Sequence, residues 1–509
     1  MARACVPRWW QRGRAPRRGC ARRGGTVIEV VFGGAELRAV TPLLVVVLFA
    51  TTSLLYEVFN DDHKDPSRPV WLSLFGLAGG IVATVALWEN GQAAFHGTFV
   101  LDGVAAFTNV VCLLAAGLSL LMAPGYLASI GVRAREVYPL VLFATSGMMI
   151  MGGARDLVVL FLGIEVMSIA AYVLAGIHRT DERSGEAALK YFLLGAFATG
   201  FLLYGMAILY GATGATSYDA IAAALPKAPK LLALGGVALL VVALGFKVSA
   251  VPFHFWAPDV YQGAPTSVTA LMAVGIKAAA VVGFARLFIV ALGSLYGDWA
   301  MVLWWLAVLT MTVGNVIAVA QNNVKRMLAY SSIAHAGYLL AAIVAGTPRG
   351  GGAVLFYLLA YTFMNVGAFA VVISLGRKGE VNEQFDDYAG LASRQPLIAA
   401  AMVLFLLSLT GIPPLVGFVG KLYLIEAILQ AGYVWLAVIM VLNSAISAYY
   451  YLRLIFEMYM RDPSRPETAM EPAPLLIACL LVATVGTIFF GIFPDGPLDF
   501  ARDAFAALR

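Results

Sequence analysis

Fourteen mostly apolar stretches follow one another between residues 41 and 493, with only short breaks between them. They cover about 41–59, 70–89, 104–123, 136–153, 155–178, 184–211, 231–262, 263–293, 299–320, 326–346, 351–376, 396–430, 432–456 and 472–493. Each is close to or beyond the roughly 20 apolar residues that cross the hydrocarbon of a bilayer. In lipid only helices satisfy their own backbone polar groups within one segment. The longest polar connection, about 377–395, leaves no room for a soluble domain. The expected fold is therefore an all-α membrane protein of about fourteen transmembrane helices. Its parts are a basic tail (1–40), one polytopic membrane domain (41–493) and a short amphipathic segment (494–509). Charged residues make up 12% of the chain, half of the roughly 25% usual in soluble proteins. That balance excludes a soluble enzyme, a disordered chain and a nucleic-acid binder.

No redox cofactor or metal is expected in this chain. Cys5, Cys20, Cys112 and Cys479 form no CxxC pair. His63, His96, His178, His254 and His335 are scattered. The Gly-rich stretch ending in Gly420-Lys421-Leu422 lacks the Ser/Thr that holds magnesium in a P-loop. Energy for any transport must then come from an ion gradient or a partner subunit.

Two of the stretches are too long for one straight helix, and each contains a pair of prolines. The seventh holds Pro252 and Pro258; the twelfth holds Gly411, Pro413 and Pro414. Proline removes a backbone donor and breaks a helix. Broken helices at matching positions of two halves point to an ion path. The offset of five spans, with weak sequence likenesses between spans 5 and 10 and between 6 and 11, suggests two inverted five-helix repeats, spans 4–8 and 9–13. Lys and Arg in the short loops divide 13 to 6 between the two sides, which puts the first inter-helix loop in the cytoplasm and both termini outside.

Five ionisable residues sit well inside apolar spans: Glu165, Lys190, Lys247, Lys277 and Lys421. Uncompensated, they would oppose insertion by roughly 12–18 kcal/mol. Lys190, nearest a helix end, also fits a snorkelling side chain. Four lysines cannot all pair with one glutamate, so some must be stabilised by water or by losing the proton. Sites that load and unload protons in response to a neighbour's charge form a relay. His254 and His335 each also fit a satisfied structural histidine.

The segments 246–279 (FKVSAVPFHFWAPDVYQGAPTSVTALMAVGIKAA), 324–340 (VKRMLAYSSIAHAGYLL) and 408–424 (SLTGIPPLVGFVGKLYL) resemble the antiporter-like membrane subunits of proton-pumping NADH:quinone oxidoreductase (complex I) and of multisubunit cation/proton antiporters. The likeness covers nearly all of 41–493. Among its branches the N-type subunits are the most similar, because of the fourteen spans, Lys190 in ALKYF and a lysine, Lys421, in the twelfth span.

The resemblance implies proton translocation driven by quinone reduction in partner subunits. Glu165 would pair with Lys247, and Lys190 would modulate that pair. Lys277 and His335 would pass a proton along a central polar axis to Lys421 on the exit side, while His254 would only mark the motif. It implies NADH, FMN, iron–sulfur clusters and quinone in partner subunits, none in this chain. The partners would be other antiporter-like and small connecting membrane subunits in a bacterial inner membrane. The alternative is a subunit of a multisubunit sodium/proton antiporter; Lys421 favours complex I. A scaffold with purely structural charges is disfavoured by the excess of lysine. Residues 1–25, with eight arginines and no acid, contradict the loop-based orientation and precede the resemblance. They are expected not to belong to the working protein.

Overall fold

The computed structural model describes residues 33–59, 67–88, 91–132, 134–376, 382–463 and 473–508. The described residues form a helical bundle with a small hairpin, β1 (Gln92–Ala94) against β2 (Phe99–Leu101). The arginine-rich stretch 1–25 lies outside the described residues. Helix α1 (Gly34–Phe59) begins ahead of the apolar boundary at 41, so residues 34–40 belong to the helix and not to a tail. Its first turn carries Glu36 and Arg38, which lower its hydropathy without stopping the backbone from coiling.

Further helices are α2 (Ser67–Leu87), α3 (Gly103–Ser129), α4 (Val137–Gly153), α5 (Leu157–Ala175), α6 (Glu182–Thr213) and the short α7 (Tyr218–Ala224). After them come α8 (Lys230–Val248), α9 (Trp256–Gly263), α10 (Thr266–Leu271) and α11 (Lys277–Arg286). The last group is α12 (Tyr296–Val319), α13 (Val324–Val344), α14 (Pro348–Ser374), the one-turn α15 (Leu391–Arg394), α16 (Pro396–Thr410), α17 (Val416–Gln430), α18 (Val434–Met460), α19 (Pro474–Ile492) and α20 (Asp495–Ala506). Among the described residues, 12 helices are long and apolar enough to cross a membrane, with α10 and α11 counted as one, and α4 and α16 are shorter apolar helices. The chain is a multi-pass membrane protein.

Starts of helices follow local chemistry. Asp102, Asp156, Asp181, Asn323 and Thr347 each accept a bond from a backbone N–H in the first turn of the helix they precede. Each satisfies one of the donors a helix start leaves free.

The two proline-bearing stretches are interrupted as expected. Helix α8 ends at Ser249, which takes the left-handed conformation (φ +63), and the chain turns through Pro252 before α9. Helix α16 ends at Gly411 (φ +93) and resumes as α17 after Pro413-Pro414. A left-handed serine costs about 1 kcal/mol or more and persists only where its surroundings impose it. Between α10 and α11 one π-helical turn, Met272–Ile276, leads directly into Lys277. Such turns widen a helix locally and frequently mark functional sites.

The centre of the bundle is α10–α11, α13 and α14, whose apolar stretches are wholly buried. Helices α1, α2, α6 and α19 form the rim, with a third of their stretches buried. Glycines let inner helices touch: a Cβ on Gly147 of α4 would lie 2.4 Å from the Met167 backbone nitrogen of α5. Helix α20 packs Leu498, Ala501, Ala504 and Phe505 inward, as its amphipathic pattern requires.

Candidate functional site

Lys247, Lys277 and Lys421 are 4%, 2% and 5% exposed, so each ammonium depends on the protein for its partners. On α8, Lys247 donates to the Ser168 hydroxyl of α5 at 2.7 Å and lies 3.5 Å from the Tyr172 hydroxyl. Glu165, one turn from Ser168 on α5, instead accepts from Thr199 of α6 at 2.8 Å. Among the described residues, Glu165 and Lys247 form no ion pair within 4.0 Å. The anticipated pair is thus not formed in this structure, and each member bonds a hydroxyl instead.

Lys277 bonds the carbonyl of Ser332 on α13 at 2.8 Å and also the Ser332 hydroxyl. Ser332, His335 and Tyr338 follow at three-residue spacing, one face of α13. His335 Nδ1 meets the Tyr357 hydroxyl of α14 at 2.5 Å, and Nε2 meets the Tyr451 hydroxyl of α18 at 3.3 Å. Tyr451 in turn bonds Ser331. Tyr338 accepts from Asn315 of α12 at 3.0 Å, and Asn315 accepts from Tyr450 at 2.9 Å. Lys421 on α17 lies 5.2 Å from the Tyr338 ring centre and donates to the Leu409 and Thr410 carbonyls and the Ser444 hydroxyl. Lys277, His335 and Lys421 are therefore brought onto one polar axis, lined by hydroxyls and amides. Between Lys247 and Lys277 stands an aromatic layer. Tyr172 packs edge-on against Tyr191, Tyr191 stacks on Trp256 at 4.6 Å, and Trp256 meets Tyr261.

Lys190 is placed elsewhere. It bonds Glu186 at 2.6 Å and Asp259 of α9 at 2.8 Å, with its side chain 40% exposed. Nine residues of helix, about 13 Å, separate it from Thr199, the partner of Glu165. Lys190 therefore does not touch the Glu165–Lys247 pair and has carboxylate partners of its own. Arg326 holds the other oxygen of Asp259 at 2.8 Å and also bonds Gln262. A cavity of about 260 Å³ lined by Arg183, Glu186, Lys190, Asp259 and Gln262 opens at this end of α6 and α9. His254 lies in the turn before α9, its ring 4.8 Å from that of Phe255 and outside the polar axis.

Sequence reasoning missed Asp259, the serine and tyrosine partners, and two ion pairs. Lys325 of α13 is buried against Glu383 at 3.3 Å and bonds the Ala264 carbonyl at 2.6 Å, tying the connection before α15 to the α9–α10 junction. Arg286, wholly buried, forks its two terminal nitrogens onto Asp102 at 2.7 Å. Burial alone would push the Asp102 carboxyl up, but the Arg286 charge and hydrogen bonds outweigh it and hold the group below the usual carboxylate range. An aspartate at a helix start and an arginine ending a span were visible signals for that pair.

Fold and site together define a multi-pass membrane protein with a polar axis running through two broken helices. Residues 154–447 match the family described as NADH:quinone oxidoreductase/Mrp antiporter, TM. The chain is 47% identical over 482 residues to the NADH-quinone oxidoreductase subunit N of Trichlorobacter lovleyi, covering 94% of this chain and 98% of that protein. It is 45% identical over 469 residues to the protein of the same name from Chloroflexus aggregans, covering 90% and 95%. A chain of respiratory complex I from Thermus thermophilus with bound aureothin superposes with a TM-score of 0.77 at 34% identity, over 90% of this chain and 98% of that one. A chain of the Mrp complex from Dietzia sp. shares the fold, with a TM-score of 0.83 at 23% identity over 93% and 97% of the two chains. The chain belongs to the family of NADH-quinone oxidoreductase N subunits, within the antiporter-like membrane proteins.

Proposed function

We propose that this chain is a proton-translocating membrane subunit of NADH:quinone oxidoreductase, moving protons along Glu165, Lys247, Lys277, His335 and Lys421. One observation carries the reading. Among the described residues, three buried lysines, Lys247, Lys277 and Lys421, have no carboxylate within 4.0 Å and rest on hydroxyl and carbonyl oxygens. A purely structural charge in a membrane is normally paired. Lysines on neutral acceptors can give up a proton without stranding an anion beside them.

In this reading the cavity beside Lys190 and Asp259 is the intake on the cytoplasmic side. Lys190 acts there by holding Asp259, and only indirectly on the pair deeper in the membrane. Tyr191, next to Lys190, and Trp256, one turn before Asp259, stack on each other and lead from that end of α6 and α9 through Tyr172 to Lys247. Closing of the Glu165–Lys247 pair would draw the ammonium off Ser168 and alter the charge that Lys277 meets. The proton then crosses the aromatic layer to Lys277 and follows the α13 face to Lys421, the exit site.

The finer architecture belongs to the same proposal: fourteen spans crossing residues 41–493 as one domain, inverted repeats in spans 4–8 and 9–13, and both termini outside the bacterial inner membrane. NADH, FMN, iron–sulfur clusters and quinone would reside in partner subunits, and neighbouring antiporter-like and small connecting subunits would deliver the driving conformational change. Residues 1–25 would be absent from the working protein, which an intact-mass measurement reads directly.

Purification of the tagged chain in mild detergent tests the assignment. Co-purification of flavin- and iron–sulfur-bearing subunits is expected. Recovery of antiporter subunits without redox centres would favour a sodium/proton exchanger and refute it.

A further inference from the structure

Lys421 is held differently from the other two unpaired lysines. Its three N–H donors meet three neutral oxygens: the Leu409 and Thr410 carbonyls, each at 2.9 Å, and the Ser444 hydroxyl at 2.7 Å. In a continuous helix those carbonyls would accept from the backbone nitrogens four residues on. Those positions are Pro413 and Pro414, which carry no N–H. The amides of Gly411 and Ile412 bond further back, to Leu407 and Ser408. The proline pair therefore does more than break the helix. It leaves the last two carbonyls of α16 without a backbone donor, at the end of the helix where the macrodipole is negative.

Other elements complete the enclosure. Ser444 comes from α18, and the ring of Tyr338 on α13 faces the ammonium from 5.2 Å, within cation–π range. Gly411 supplies the left-handed turn and the room, since a Cβ there would lie 3.0 Å from Lys421 Cδ. Carbonyl oxygens at the end of an unwound half-helix, joined by a hydroxyl, are the ligand chemistry by which membrane proteins bind monovalent cations.

We propose that the oxygens of Leu409, Thr410 and Ser444 form a binding site for a monovalent cation of ammonium size, whose resident ion is the tethered ammonium of Lys421. The proposal deepens the reading of Lys421 as the exit site and rests on it for its consequence. A free cation and the charged lysine exclude each other, so cation binding and proton loading are competing states of one site.

The test uses the assembled complex carrying Lys421→Ala, in detergent so that no pH gradient is involved, with methylammonium as the probe. Methylammonium should raise the melting temperature of the subunit saturably, by about 2 °C, and tetramethylammonium at equal ionic strength should not. The rise should be absent in the wild-type complex and in Lys421→Met, which keeps the volume filled, and smaller in Lys421→Ala with Ser444→Ala. No response from an assembled Lys421→Ala complex, or an equal response from Lys421→Met, overturns the cation site. Quinone reduction is read in the same complexes without methylammonium, so that a bound amine cannot stand in for the missing proton carrier. If Lys421→Ala melts higher with methylammonium yet turns over at the full rate, the cation site stands and the proton role of Lys421 fails.

Discussion

Breaking the Arg286–Asp102 pair isolates what a single buried charge costs this bundle. Arg286 is wholly buried and gives two 2.7 Å bonds to the carboxylate that also caps α3. In Asp102→Asn the amide keeps the cap, because asparagine caps as well as aspartate. The arginine stays charged, since it cannot lose its proton in a protein. Removing one member of a buried pair costs about 3–5 kcal/mol. Arg286→Met leaves a carboxylate that can take a proton instead, which places it at the lower end of that range. The double variant, Asp102→Asn with Arg286→Met, buries no charge, so its cost should fall below that of Asp102→Asn alone.

The pH dependence has a definite sign. The folded Asp102 carboxyl lies below its unfolded value, so its contribution is present above about pH 4 and is lost as pH falls through the folded value. The assay is retention of the subunit in the purified complex after graded heating, at pH 7 and at acid pH. A double variant that loses the summed stability of the two single variants would refute the argument, because independent sites add and a charge pair does not.

Other outcomes follow from the same geometry. Glu165→Gln keeps the Thr199 hydrogen bond but cannot form an ion pair with Lys247, so pumping should fall with assembly unchanged; unchanged turnover would leave Glu165 a structural partner of Thr199. Asp259→Asn removes two partly exposed ion pairs worth about 0.2–1 kcal/mol each, so the complex should assemble while the rate of quinone reduction drops; a complex that fails to assemble would show that Asp259 holds the fold. Gly147→Val should lower the yield of assembled complex on blue-native gels, because a side chain there meets the Met167 backbone, and a normal yield would contradict the packing of α4 on α5.

Much of this architecture was legible in the sequence because lipid makes one demand, a helix of about 20 apolar residues, that local pattern reveals. The breaks were legible for the same reason, since proline acts on its own backbone. Placing Lys247, Lys277 and Lys421 in the interior needed only their apolar neighbours. Their partners were another matter. Ser168, Ser332 and Ser444 are ordinary residues in membrane helices, and only the packing of one helix on another makes them acceptors. Lys190 shows the same limit: its partner Asp259 lies 69 positions away in the chain, where a broken helix returns to meet it. The lone carboxylate of the APDVY segment was in plain view, but local spacing could not say which cation it meets.

The claim that buried lysines carry the proton is tested most directly at Lys247. The assembled complex with Lys247→Ala is reconstituted into liposomes, and NADH oxidation and internal acidification are followed together. Both should fall sharply, with the subunit composition of the complex unchanged. Normal acidification at the full rate of quinone reduction would remove Lys247 from the path and contradict the account.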